Sequence, residues 1–256
     1  MQDRIKPFKG VTNFRDFGGY DTADGRRVKT GKLFRTAALH EAHEDDFAIL
    51  NGLGIDFQVD LRRQSERVSE PNIWGPHEVH TFNDLGAYKA SHLEFLDKGN
   101  LTGQDAHNFM TAYYAVAPWV EAHVCLYTRW FRRLAETQGA GLINCAAGKD
   151  RTGIGCALTL SLLGVPEDVI LEDYMLTNDT IDLDQRLPHV RAKWEKRLRL
   201  KLDDETLYPF LGVKGEYLQS AMHAIQEKHG SLANYTKDIL AVDDTLIEAL
   251  KSKLLE

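Results

Sequence analysis

The residues best suited to chemistry form one short segment near the middle of the chain. The segment reads Cys145-Ala146-Ala147-Gly148-Lys149-Asp150-Arg151-Thr152-Gly153. A short apolar run before it predicts a buried strand, and a run of small apolar residues after it predicts a helix. A loop at such a junction turns successive backbone N–H groups toward one point, and the helix directs its positive end there. The segment therefore predicts a binding site for an anion such as a phosphate group.

Cys145 and Arg151 are the predicted catalytic residues of this loop. Arg151 offers a planar fork for two oxygens of one phosphate, and the positive field around it favours the thiolate form of Cys145. The thiolate would attack phosphorus to give a phosphocysteine that water hydrolyses, a reaction that needs no metal or other cofactor. A buried structural thiol is the alternative for an isolated cysteine, but the complete spacing favours catalysis. The other loop residues are predicted to bind the phosphate: Ala146, Ala147, Gly148, Lys149, Thr152 and Gly153.

The leaving group needs a proton, and four aspartates are candidates for supplying it. Asp150 lies in the loop, and Asp60 ends a predicted strand at the rim where α/β proteins place ligands. Asp84 begins an irregular segment, and Asp16 fits a turn or a backbone hydrogen bond. We rank Asp150 first, Asp60 second and Asp84 third. The alternative for Asp150 is an ion pair with a neighbouring cation that only shapes the loop.

Three polar residues in or near the loop could contribute to substrate binding or to catalysis. Lys149 adds a cation beside Arg151, which suits a substrate with further phosphates. Arg62 follows the strand that ends at Asp60 and is predicted to bind substrate, although an ordinary surface ion pair is equally consistent with its position. The Thr152 hydroxyl could bond the Cys145 sulfur or cap the helix.

The composition limits the classes of function. With 43% hydrophobic and 27% charged residues, the 256-residue chain is typical of a globular protein. Its net charge of −7 argues against a nucleic-acid partner, and it has no apolar run long enough for a transmembrane helix, so membrane contact is expected only through a lipid substrate. Three cysteines are too few for a disulfide framework. The N-terminus lacks a signal-peptide pattern, which predicts a cytoplasmic protein, with signal-less export left open.

Hydrophobic periodicity places the loop inside one α/β domain that spans residues 1–256. The predicted strands and helices are extended segments within 11–38, strands at 55–61, 78–82 and 141–144, and helices at about 43–54, 118–136 and 152–163. Residues 84–116 are expected to be the least regular part. From residue 166 only helices are expected, with 166–211 as a helical lid. The basic and apolar helix at 182–202 is predicted to pack on the core, with a cover over the pocket or contact with anionic lipid as alternatives.

The loop resembles the Cys-x5-Arg signature of the protein-tyrosine-phosphatase superfamily. The run from Gly148 to Gly153 is more specifically similar to the atypical bacterial tyrosine and lipid phosphatases, as are residues 13–20, 31–35, 59–62 and 164–174. The resemblance implies a three-layer phosphatase-type fold with a central parallel-rich sheet, helices on both faces and a helical C-terminal part. It also implies a phosphorylated protein or peptide carrying phosphotyrosine as substrate, with phosphoserine, phosphothreonine and phosphoinositides as further candidates, and it favours Asp150 as the acid.

Asn144 departs from the family pattern, which places a histidine directly before the cysteine. In the superfamily that histidine is thought to order the loop and stabilise the thiolate, and an asparagine side chain can also donate and accept hydrogen bonds. We therefore expect a working enzyme with a less activated thiol. The alternative is a pseudophosphatase that binds phosphorylated partners without turnover, and only Asn144 favours it because Cys145, Asp150 and Arg151 are all present.

Overall fold

A five-stranded sheet organises the fold. The computed structural model describes residues 5, 8–83, 91–99 and 101–256, with side chains for all of these except 91–93. The strands are β1 (Arg15–Asp16), β2 (Leu33–Thr36), β3 (Ile55–Asp60), β4 (Glu78–His80) and β5 (Ala140–Asn144). Their order is β1-β2-β5-β3-β4, and every neighbouring pair is parallel except β1 with β2. The predicted parallel-rich sheet is confirmed.

Helices make up most of the remaining chain. They are α1 (Glu44–Asn51), α2 (Gln64–Ser69), α3 (Ser91–Leu96), α4 (Gly103–Val116), α5 (Glu121–Glu136), α6 (Asp150–Leu162), α7 (Glu167–Met175), α8 (Thr177–Thr180), α9 (Leu183–Leu198), α10 (Asp204–Leu211), α11 (Gly215–His229), α12 (Leu232–Asp238) and α13 (Asp244–Leu254). Among the described residues, no helix is both long enough and apolar enough to cross a bilayer.

Two apolar cores lie on the two faces of the sheet. Successive side chains of a strand point to opposite faces, so Phe34 and Leu142 join Leu50 of α1 in the smaller core. Leu33 and Ile143 belong to the larger core, which also contains buried residues of α5 and α6. The predicted three-layer arrangement with helices on both faces is therefore confirmed.

The central strand β5 determines where the Cys145 loop emerges. Asn144, the last residue of β5, pairs in register with Thr36 at the end of β2 and with Asp60 at the end of β3. The carboxyl ends of three parallel strands thus meet at one edge of the sheet, which is where open α/β folds bind ligands.

The prediction of an irregular segment over 84–116 was wrong for 103–116, which form α4. A capping box starts this helix, because the Thr102 hydroxyl accepts from the Asp105 N–H and the Asp105 carboxylate accepts from the Thr102 N–H. Side chains at spacings of four then face the core: Ala106, Met110 and Tyr114. Asp84 lies outside the described residues.

The lid predicted over 166–211 is narrower than expected. The described chain from residue 166 onward is helical as predicted, apart from a single bridge between Val28 and Leu255. However, α7 is part of the core, where it buries Ile170 and Tyr174. Within residues 166–211, only α9 and α10 contribute residues to the wall of the cavity beside the Cys145 loop.

Candidate active site

The loop between β5 and α6 is bound to the body of the protein through its carbonyl groups. Because a trans peptide unit is planar, the N–H that follows each carbonyl points in the opposite direction. The amides of residues 147–149 therefore face away from the protein body, as in an anion-binding nest. The carbonyl contacts are Ala146 with the Ala38 N–H at 3.0 Å, Ala147 with Asn13 Nδ2 at 2.9 Å and Gly148 with Arg35 Nη2 at 2.8 Å.

Gly148 allows this loop to lie close to the end of β2. Its φ is +65°, a conformation that side chains disfavour. A Cβ at this position would lie 2.5 Å from the Thr36 carbonyl oxygen. A glycine is therefore needed for the backbone conformation and for the close approach.

A cavity of about 500 Å³ opens in front of the loop. Cys145, Asp150 and Arg151 belong to its wall. Much of the remaining wall is apolar or aromatic, with contributions from α4, α5, α9 and α10: Phe109, Met110, Tyr113, Leu126, Val190, Trp194, Phe210 and Leu211. An anion held by the loop amides would therefore place its organic group among apolar side chains.

Glu66 of α2 fixes the guanidinium of Arg151. Arg151 Nη1 lies 2.7 Å from Glu66 Oε2, and Arg151 Nη2 lies 2.9 Å from Oε1, while Nη1 also donates to the Leu61 carbonyl at 2.9 Å. Burial alone lowers the pKa of Arg151, but the charges of Glu66 and Cys145 raise it well above its usual value. Burial likewise raises the pKa of Glu66, yet Arg151 lowers it below the usual range. Arg151 is thus held in the charged form that phosphate recognition requires.

Asp60, the second candidate acid, is occupied by protein partners. Its carboxylate accepts from Arg62 Nε at 3.0 Å, from Arg62 Nη2 at 2.8 Å and from Asn144 Nδ2 at 3.2 Å. The Asn144 amide oxygen accepts from Gln58 Nε2 at 2.8 Å, and Arg62 Nη1 donates to the Glu70 carbonyl at 2.6 Å. This buried network ties the ends of β3 and β5 together directly before the loop. A role of Arg62 in substrate binding stays a prediction.

Asp150, the first-ranked candidate acid, is the first residue of α6 and borders the cavity. The Tyr114 hydroxyl donates to Asp150 Oδ1 at 2.7 Å, and Lys149 Nζ lies 3.5 Å from the same oxygen. The Asp150 side chain is 20% exposed. One carboxyl oxygen is therefore held by the protein while the group keeps access to the cavity, whereas Asp60 is not among the described residues of the cavity wall.

Lys149 and Thr152 differ from their sequence-based interpretations. The Lys149 ammonium is buried and donates to the carbonyls of Pro209 at 3.2 Å and Gly212 at 2.8 Å, so it joins the loop to the end of α10. Thr152 lies inside α6 rather than at its N-cap. Its hydroxyl is buried and has no hydrogen-bond partner within the described part of the chain. Bonding to the sulfur of a reacting cysteine stays a prediction for this hydroxyl.

A buried charge cluster lies behind the loop. Asp173 accepts from Arg35 Nη1 at 3.0 Å and from Arg15 Nε at 3.4 Å, and all three side chains are at most 2% exposed. Arg15 Nη1 also donates to Asn13 Oδ1 at 2.6 Å. Burial alone raises the pKa of Asp173, but the two arginines lower it below its usual value. Arg35 and Asn13, the donors to the loop carbonyls, are therefore fixed by this cluster.

His123 of α5 is a further polar group in the cavity wall, and it is only 6% exposed. Its Nδ1 lies 2.8 Å from the Ala117 carbonyl oxygen. Since a carbonyl can only accept, Nδ1 carries the proton and Nε2 is the acceptor in the neutral ring. Burial lowers the pKa of His123 to about 4, and the charge of Arg151 also lowers it. His123 is thus neutral near pH 7.

The sequence interpretation missed these supporting residues. It gave no role to Glu66 or Tyr114, and it included Asn13 and Arg35 only as members of the segments that match the family. The sequence did contain one signal for them. Charged or polar residues next to apolar runs become buried on folding, and buried polar groups need hydrogen-bond or ion-pair partners. No three His, Cys, Asp or Glu side chains of the described ranges converge in the manner of metal ligands. Metal-free chemistry stays a prediction.

Comparison with known proteins gives consistent results. A sequence model of the tyrosine phosphatase family matches residues 6–256. A protein of Cupriavidus necator, named as a candidate tyrosine-protein phosphatase, is 32% identical over 92% of this chain and 84% of its own. The triple specificity protein phosphatase PtpB of Mycobacterium tuberculosis is 29% identical over 98% of this chain and 99% of its own. A tyrosine-protein phosphatase of Nostoc commune is 28% identical over 89% of this chain and 75% of its own.

Proposed function

The chain belongs to the tyrosine phosphatase family, and from that membership we propose that it hydrolyses phosphomonoesters through a phosphocysteine formed on Cys145. The observation that carries the proposal is the two-sided loop. Three successive carbonyls are bound from behind, while Cys145 and Arg151 border one cavity in front. Amides and a guanidinium arranged in this way stabilise the charge of a transferring phosphoryl group.

The proposed reaction has two steps. The Cys145 sulfur attacks phosphorus, the bond from phosphorus to the leaving oxygen breaks, and Asp150 gives its proton to that oxygen. Water then attacks phosphorus and gives a proton to the Asp150 carboxylate, while the sulfur–phosphorus bond breaks and the thiolate returns. Asp150 is preferred over Asp60 because Asp150 borders the cavity, whereas the Asp60 carboxylate is bound by Arg62 and Asn144.

Phosphotyrosine is the proposed main substrate. The apolar and aromatic cavity wall suits an aryl group next to the phosphate. The triple specificity of one relative, given in its name, extends the proposal to phosphoserine, phosphothreonine and phosphoinositides. A further phosphate could reach the Lys149 ammonium only in competition with the carbonyls of Pro209 and Gly212.

Hydrolysis of p-nitrophenyl phosphate with EDTA present tests the mechanism. We expect turnover in the wild type and none in Cys145→Ser, because a serine hydroxyl stays protonated near neutral pH and is then a poor nucleophile. Cys125→Ser is the matched control and should keep wild-type activity, since that half-buried thiol is not among the cavity-wall residues that the structure describes. Binding of vanadate without turnover in the wild type would instead support the pseudophosphatase alternative.

The identity of the acid is tested with Asp150→Asn, Asp60→Asn and Asp84→Asn. A poor leaving group such as phenolate needs its proton in the transition state more than p-nitrophenolate does. We therefore expect Asp150→Asn to reduce hydrolysis of phenyl phosphate far more than hydrolysis of p-nitrophenyl phosphate. If only Asp60→Asn or only Asp84→Asn shows such a loss, that aspartate rather than Asp150 is the acid.

A further inference from the structure

We propose that Tyr114 is a positioning residue for the proton transfer, acting through a chain of two tyrosine hydroxyls that ends on Asp150. This inference rests on the function proposed above, with Asp150 as the acid. It concerns α4, which contributes residues to the cavity wall and which periodicity did not predict.

The hydroxyl chain has a defined direction. The Tyr114 oxygen lies 2.7 Å from Asp150 Oδ1 and 2.6 Å from the Tyr174 oxygen. A hydroxyl has one proton to donate. Because Tyr114 donates its proton to the Asp150 carboxylate, the proton between the two tyrosines comes from Tyr174. The order of donation is therefore Tyr174 to Tyr114 to Asp150.

Packing holds this chain in place. Tyr114 comes from α4, Tyr174 from α7 and Asp150 from the start of α6, and both tyrosines are at most 1% exposed. The Tyr217 ring stacks on Tyr114 with centroids 5.8 Å apart. A Cβ on Gly153 would lie 2.9 Å from the Tyr174 ring. Gly153, predicted from the sequence to bind substrate, thus provides the space that the Tyr174 ring occupies.

The surroundings of the two tyrosine hydroxyls favour their protonated form, in which they can donate hydrogen bonds. Burial raises the pKa of Tyr114 and Tyr174 well above the usual value, and the negative charge of Asp150 raises both further. Burial also raises the pKa of Tyr217, on α11, to about 12. From the loop, Lys149 Nζ lies 3.5 Å from Asp150 Oδ1. Both hydroxyls therefore keep their protons over the working pH range.

The hydrogen bond from Tyr114 has a different strength before and after the transfer. It is weak while Asp150 is protonated and becomes charge-assisted once the carboxylate forms. An interaction that strengthens along the reaction lowers the barrier rather than only binding the ground state. With Oδ1 held by Tyr114, the proton sits on Oδ2, the oxygen left for the leaving group in the cavity.

Leaving-group dependence tests the role of Tyr114. We expect Tyr114→Phe to lower kcat for phenyl phosphate by about 10- to 100-fold, the range for a lost hydrogen bond to a charged group. The kcat for p-nitrophenyl phosphate should change by less than about 3-fold and KM should be unchanged, because the lost bond acts only when the proton moves. Tyr235→Phe is the matched control. It also removes one buried hydroxyl, which donates to the Pro118 carbonyl at 2.6 Å, and it should leave the ratio of the two rates unchanged.

Three other variants separate the possible failures. If Asp150→Asn shows no leaving-group dependence, the proposed acid is wrong. If Asp150→Asn shows it and Tyr114→Phe behaves like Tyr235→Phe, only the present inference fails. Tyr114→Phe combined with Asp150→Asn should be no slower than Asp150→Asn alone. Should Tyr114→Phe not fold, Tyr174→Phe keeps the bond to Asp150 and should show a smaller loss of the same kind, and an unchanged rate ratio there overturns the proposal.

Discussion

The front of the Cys145 loop borders a cavity, whereas its back is enclosed by protein. On the front, Cys145 and Arg151 face space that a substrate can enter. On the back, Arg35 and Asn13 bind the carbonyls of the loop, and Asp173 holds Arg35. The two sides therefore have different roles. Contacts on the back fix the direction of the loop amides, and those amides bind the anion on the front.

The two sides also differ in how their charges are balanced. Asp173 faces two arginines on the back, and burial raises the pKa of the neighbouring Cys156 thiol to about 12, so that thiol stays neutral. The back therefore keeps a net positive charge behind the amides. Charges in such a low-dielectric setting interact more strongly than in water. The back thus supports the anion site electrostatically as well as by geometry.

The largest expected effect is on the front. Arg151→Lys should lower kcat/KM for p-nitrophenyl phosphate by about 1000-fold or more, roughly 4 kcal/mol, because an ammonium cannot make two parallel bonds to the phosphoryl oxygens. Steady-state kinetics measure this loss. Adding Glu66→Gln removes the carboxylate that pairs with Arg151 and controls for a misplaced charge. Wild-type kinetics in Arg151→Lys would show that the front does not bind the transferring group.

The next largest effect is on the back, and it concerns stability. Arg35→Met should lower the free energy of unfolding by about 3–5 kcal/mol, because it breaks a buried ion pair and leaves Asp173 with one cation. Urea unfolding measures the loss. Arg26→Met is the control, since its partner Asp24 is exposed and such pairs contribute little. Equal losses in the two variants would mean that the back is not a stabilising cluster.

Much of the fold followed from periodicity. The strand predicted at 55–61 is Ile55–Asp60, and the helix predicted at about 118–136 is Glu121–Glu136. The helix α10 falls within the helical part predicted from residue 166 onward, although Pro209 lies inside it. It forms because Asp203 accepts from the Thr206 N–H at its start, which compensates for a residue that disfavours helix.

The site was predictable only where its residues are contiguous. The loop could be read directly, since the cysteine, glycine and arginine spacing is local. Its partners are distant in sequence: Glu66 lies 85 residues from Arg151, Tyr114 lies 36 residues from Asp150, and Asn13 lies 134 residues from Ala147. Such contacts depend on how helices pack on the sheet, which periodicity does not specify.

A third prediction concerns how the stability of the protein depends on pH through His123, which lies in the cavity wall on the front of the loop. Burial lowers the pKa of His123 to about 4, below the value of about 6.5 in an unfolded chain. As pH falls from 6.5 to 4, the unfolded state takes up a proton that the folded state does not, so stability decreases over that window by up to about 3 kcal/mol. Urea unfolding at several pH values measures the slope.

His123→Gln gives the comparison for that slope. The substitution removes the titrating ring, so the decrease between pH 6.5 and 4 should be largely absent, while the decrease below pH 4 from paired carboxylates such as Asp173 remains. A variant with the same slope as the wild type over this window would assign the effect to other groups.

The smallest expected effect returns to the back of the loop. Asn13→Asp keeps the shape of the side chain and its acceptor for Arg15 but removes the donor to the Ala147 carbonyl. The residue has φ +55°, which Asn, Asp and Gly all tolerate. We expect about 10-fold weaker inhibition by vanadate, equivalent to about 1.4 kcal/mol, because a released carbonyl lets the next amide turn away from the anion.

Two variants isolate this contribution. Asn13→Gly removes the donor without adding a negative charge and should weaken vanadate inhibition to a similar extent. Asn234→Asp is the matched control, because Asn234 Nδ2 donates to the His229 carbonyl at 2.8 Å, which is not part of the loop. If Asn234→Asp weakens inhibition as much as Asn13→Asp, or if both Asn13 variants bind vanadate normally, the loop amides keep their direction without Asn13. In that case Arg35 and the Ala38 N–H would have to hold the back of the loop.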